Sequence, residues 1–192
     1  MELPRITIDR NVIFAAEKEE DCTEAARELF RLHNDQTIQI CISSANLVEN
    51  NKEGKDIVPE GEWLAYCERI GLIKPQMLDY PFCWEMGSWG HTSATEEGWA
   101  LEEEIHAILS PQEPLDLCAE LQDPKTQRKV RNAKGDVFAL WSHIWYDNDY
   151  FVTIDGGFHR NLERINAMTS SKLARPVKMM RPDEMVFLLI NL

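Results

Sequence analysis

Residues 136–160 read DVFALWSHIWYDNDYFVTIDGGFHR. The first part, 136–146, is apolar around most of its circumference at helical spacing, which requires burial on more than one side. The second, Tyr150 to Ile154, is the clearest buried strand in the chain, built of aromatic and β-branched residues. A further helical pattern covers 160–168. Helix, strand and helix in so short a span is the repeating unit of an α/β domain with a mainly parallel sheet. The strand stops on Asp155, which Gly156 and Gly157 follow. Asp-Gly is an ordinary turn. A carboxylate at the mouth of an apolar strand must also be solvated, paired or bound to a cation.

The same alternation continues on either side. RITIDRNVIF (5–14) begins as a strand, then carries Asp9 and Asn11 inside its apolar run. DCTEAARELFRLHND (21–35) reads as a helix, with Asp21 as N-cap and Glu24 completing a capping box. TIQICISS (37–44) is a second strand, and a helix follows from Ser43 or Ser44. Near the other end, ARPVKMM (174–180) is the last strand and RPDEMVFLLI (181–190) a closing helix with Pro182 in its first turn. Between them, helices are expected over 62–70, 96–109 and 115–122, and an aromatic loop over 79–93. With no strand pattern there, 50–124 reads as a mostly helical elaboration of a single 1–192 domain.

The chain has 192 residues, enough for a sizeable core, and its 44% hydrophobic content excludes a disordered protein. No run approaches the roughly 18 apolar residues of a membrane span, and no basic-then-apolar leader opens it, so the expectation is a cytoplasmic protein with no membrane partner. The five cysteines are scattered, without a CxxC pair, and read as free thiols. A net charge of −13 argues against nonspecific coating of nucleic acid. The charge is uneven, however. Nine acids and no Lys or Arg occupy 96–123, five bases and no acid occupy 125–134, and six bases against one acid occupy 159–182.

In open parallel sheets, sites form beyond the carboxyl ends of strands. Asp9 and Asp155 fall there, Glu49 about one turn past the second strand, and Asp136 at the expected start of the helix feeding the Asp155 strand. Carboxylates converging in this way need a cation, and all-oxygen ligation suits Mg²⁺ or Mn²⁺. Metal-assisted phosphodiester cleavage fits that set. Asn11 and Thr153 stand where they can orient Asp9 and the second strand end. The two basic stretches flank the acids and suggest a phosphate-contacting rim, with Arg10, Arg131, Lys134 and Arg160 as candidates.

These segments together resemble the PIN-domain nuclease family. ITIDRNVIF is similar to its opening strand, SSANLVE to its second acidic position, KGDVFALWSHIWYDNDYFVTIDGGF to its helix-starting Asp and Thr-x-Asp-x-x-Phe segment, and PVKMMRPDEMVFLL to its closing strand and helix. The resemblance covers 5–49 and 130–190. It implies a Rossmann-like three-layer α/β sandwich and a metal-dependent endoribonuclease with Asp9, Glu49, Asp136 and Asp155 as catalytic metal ligands. The partners it implies are an RNA substrate and an antitoxin or other protein; a homodimer is a further expectation that the sequence leaves open. Arg10 and Gly157 depart from the family's usual residues, Gly157 standing where a further acid is common, so one-metal chemistry enters. The rival reading is a catalytically inactive interaction module whose Trp84, Trp89 and Trp99 dock a partner. A Glu103-x-x-His106 pair reads as a surface or partner-facing helix, His143 as a satisfied core histidine, and His159 as either solvated or a phosphate contact.

Overall fold

The computed structural model describes residues 2–18, 22–47, 59–81, 92–93, 95–114, 124–169 and 173–191. Its centre is a five-stranded, wholly parallel sheet of β1 (Arg5–Ile8), β2 (Gln39–Ser43), β3 (Gln76–Leu78), β6 (Tyr150–Val152) and β7 (Met179–Met180), in the order β3-β2-β1-β6-β7. The short β4 (Tyr80–Pro81) and β5 (Thr92–Ser93) pair separately. This is a three-layer α/β fold. On one face lie α1 (Arg10–Ala15), α2 (Thr23–Asn34), α3 (Glu60–Arg69) and α7 (Pro182–Ile190). On the other lie α4 (Glu96–Leu109), α5 (Pro124–Trp145) and α6 (Gly156–Asn166).

Strand alternation sorts the two cores. Ile6, Ile8, Ile40, Ile42 and Val152 pack under α1, α2, α3 and α7 against Val12, Leu29, Phe30, Trp63 and Met185. Phe151 and Met179 face the opposite way, against Leu101, Ile105, Phe138, Trp141 and Phe158. On this second face β1 and β2 present polar residues. Thr7 Oγ1 meets His143 Nδ1 at 3.1 Å and accepts from Asn148 Nδ2 at 2.7 Å, and Ser43 meets Ser142 at 2.9 Å. α5 therefore lies on a buried polar seam. His143 is the satisfied core histidine expected of it, and full burial, aided by Arg175, pushes its pKa down to about 3.

Several boundaries differ from the expectation. α5 begins at Pro124, so the basic stretch is helical and Asp136 lies inside the helix. The region expected to be a helical elaboration supplies β3, an edge strand of the main sheet. Cys22, at φ 71°, caps α2 without a side-chain bond, and Asp21 lies outside the described residues. The turn after β2 is a single 3-10 turn, Ser44–Leu47. The helix expected over 115–122 lies outside the described residues. Cys41 and Cys67 are buried free thiols and Cys22 a half-buried one. Among the described residues, no helix is long and apolar enough to cross a membrane.

Candidate functional site

The strand order reverses between β1 and β6, whose chain neighbours lie on opposite sides. In open α/β sheets that crevice, beyond the carboxyl ends, is where ligands bind. Asp9 and Asp155 stand on its two lips, each as the N-cap of the next helix. Asp9 accepts from Arg10 N at 2.7 Å and Asp155 from Gly157 N at 2.5 Å.

Thr153 joins them. It continues the register that pairs Ile8 with Val152, and Asp9 N donates to Val152 O at 2.9 Å. The buried Thr153 hydroxyl donates to Asp9 Oδ2 at 2.8 Å and accepts from Asp155 N at 3.0 Å. Asn11 Nδ2 donates to the same Asp9 oxygen at 2.6 Å, while Asn11 Oδ1 accepts from Ile154 N at 3.2 Å. Asp9, Asn11, Thr153 and Asp155 thus form one hydrogen-bonded unit spanning the two central strands.

Asp136 approaches from above. α5 runs antiparallel to β1: His143 touches Thr7, and Tyr146 O accepts from Arg5 Nη1 at 3.1 Å. From His143 back to Asp136 is about 10 Å along the same helical stripe, and from Thr7 on to Asp9 is about 7 Å along the strand. Half-buried Asp136 therefore stands within about one turn of the level of Asp9, on the helix segment that overhangs the carboxyl edge. Glu49 lies outside the described residues.

The basic rim is smaller than expected. Lys134 is buried, and its Nζ lies 2.5 Å from Glu102 Oε1 of α4, so it braces two helices instead of standing on an exposed rim. Arg10 is buried too, its guanidinium 4.9 Å from the Phe14 ring centre and 5.8 Å from that of Trp63. Arg175 pairs with Asp147 and Asp149 at the opposite, amino edge of the sheet, beside a depression of about 520 Å³ that also holds Arg5 and Tyr146. Arg131 is half-buried on the overhang of α5. Arg160 is exposed over the first turn of α6, where a Cβ on Gly156 would stand 3.0 Å from its Nη1. The glycine makes room for this guanidinium.

Two histidines have partners that sequence patterns did not suggest. His159 Nε2 lies 3.1 Å from Thr153 O, so the imidazole is tied to the site's own backbone. His106, expected on a surface helix, is buried beside the Lys134–Glu102 pair, and burial together with the Lys134 charge lowers its pKa. Trp99 is exposed; Trp84 and Trp89 lie outside the described residues. No protein-family model matches the chain, and no curated protein matches it. Among the described residues, no group of three or more His, Cys, Asp and Glu gathers as a metal cage. The donor set is instead a pair. Asp155 keeps one oxygen without a hydrogen bond among the described residues, and Asp9 accepts from Arg10 N, Asn11 Nδ2 and the Thr153 hydroxyl. That suits Mg²⁺, which binds through one or two carboxylates and keeps several waters.

Proposed function

We propose that this chain is a divalent-metal-dependent nuclease of the PIN-domain kind, acting on RNA phosphodiester bonds in the cytoplasm. The observation that carries the reading is the Asp9–Thr153–Asp155 unit at the reversal point of the sheet. Asp9 and Asp155 would hold Mg²⁺ or Mn²⁺, with Asp136 from the overhang of α5 and Glu49 as further carboxylates. Such an ion, when bound, supplies activation of the attacking water and charge stabilisation at the departing oxygen. Asn11 and Thr153 aim the Asp9 carboxylate by donating to one of its oxygens. Arg160 and Arg131 are the described rim cations placed to meet phosphate. An antitoxin or other protein and a second copy of the chain remain partners within this proposal.

The deciding experiment is cleavage of single-stranded and structured RNA with and without Mn²⁺, by wild type, Asp9→Asn and Asp155→Asn. Metal-dependent cleavage lost in both variants is the expected result; equal cleavage by all three sinks the assignment. The second reading, an interaction module without turnover, draws support from the three donors already on Asp9. Absence of a thermal shift at millimolar Mn²⁺ would favour it, because a ligand of the folded form alone raises stability.

A further inference from the structure

Every polar atom of Thr153 is committed. Its N donates to Met180 O at 3.1 Å, its hydroxyl serves Asp9, Asn11 and Asp155, and its carbonyl oxygen lies 3.1 Å from His159 Nε2. A carbonyl only accepts, so Nε2 carries the proton and the neutral ring is the Nε2–H tautomer. The bond closes a small ring. The chain runs from Thr153 to Asp155, Asp155 caps α6 at Gly157, and the first turn of α6 returns His159 to Thr153. The three residues of Phe158-His159-Arg160 divide the work: Phe158 anchors in the core, His159 turns back to the strand end, and Arg160 lies over the glycines.

We propose that His159 is a positioning residue of this site, holding the 153–155 turn so that the Thr153 hydroxyl points at Asp9 and the second oxygen of Asp155 stays open to the crevice. Its catalytic meaning rests on the nuclease reading; the pin itself does not. Without the pin, the Thr153 carbonyl loses its partner, while the strand-end bond to Met180, the Asn11 and Asp9 bonds and the Asp155 cap at Gly157 stay in place around a looser turn. A glutamine can place its amide nitrogen near the former Nε2 and keep the donor, whereas leucine fills the space without one.

The test uses the whole chain as wild type, His159→Gln and His159→Leu. Amide exchange at Ile154 and Asp155 without metal, imidazole ¹⁵N shifts, Mn²⁺ titration and cleavage kinetics are read on each. The leucine variant is expected to exchange the Asp155 amide at least about ten-fold faster at similar global stability. It should also bind Mn²⁺ and turn over about 10–100-fold more weakly, the usual loss when a ligand's support is removed, through kcat with KM little changed. The glutamine variant should restore all of these. Unchanged Asp155 exchange in the leucine variant, a glutamine variant as impaired as leucine, or wild-type kcat in the leucine form of an active enzyme overturns the proposal. Should the leucine variant fail to fold, an Nδ1–H tautomer in the wild-type spectrum overturns it and an Nε2–H tautomer supports it. A wild type that neither binds Mn²⁺ nor cleaves RNA defeats the nuclease reading alone, because exchange and tautomer still judge the pin.

Discussion

Replacing Lys134 with methionine separates two roles for this residue that differ in size and kind. Its side chain is 2% exposed and that of Glu102 is 8%, with 2.5 Å between Nζ and Oε1. Removing one member of a buried pair leaves the other charge uncompensated, at a cost of about 3–5 kcal/mol. That is a large share of the roughly 5–15 kcal/mol by which a domain is stable. Replacing both, Glu102→Leu with Lys134→Met, removes the charge together with its partner. The double variant should therefore return to wild-type stability or exceed it by about 1–4 kcal/mol. Urea unfolding of wild type, both single variants and the double variant reads the coupling directly. A Lys134→Met variant within about 0.5 kcal/mol of wild type would refute the buried pair. If that variant also lowered the salt dependence of RNA binding by about one unit of slope, Lys134 would be a phosphate contact after all.

Thr153→Val removes the hydroxyl that joins Asp9 to Asp155 without changing shape; it should cost about 1.5–3 kcal/mol, the worth of a hydrogen bond to a charged acceptor, measured by urea unfolding. His143 gives a pH signature. Burial depresses its folded-state pKa from 6.5 to about 3, so the unfolded chain takes up the proton first. Stability should fall as pH drops below about 6.5, by up to about 1.4 kcal/mol per unit, and His143→Gln should make that slope shallower. Gly156→Ala should leave stability within about 1 kcal/mol of wild type, because the atom its Cβ would meet is the far end of a flexible arginine. A change in RNA-binding salt dependence in that variant would report the displaced Arg160.

The acids of the two strand ends were legible because each breaks an apolar run of β-type residues at the point where the next helix must begin. Asn11 and Thr153 followed from their spacing to those acids. The start of α5 was not legible, since 125–134 holds just Val130 and Ala133 as apolar residues, too few for a stripe, and the basic residues look like a loop. Lys134 was misplaced for the same reason: its burial depends on Glu102 across the helix pair, a contact that no local pattern encodes. β3 is three residues long and gets its identity from pairing with β2. The partner of His159 is equally non-local in kind, a backbone carbonyl, which leaves no trace in side-chain spacing.

Asp9 and Thr153 share a hydrogen bond across 144 positions of chain. During synthesis the central strand gains one neighbour, β2, soon after it emerges, and waits for the other until the chain has grown 144 positions further to β6. Until then its second edge lacks its partner, and the carboxylate of Asp9 lacks one of its supports. Pairings of such long range form slowly. A nascent or truncated chain therefore carries half of the candidate centre and none of its completed geometry, so any activity that resides there is switched on by the arrival of β6.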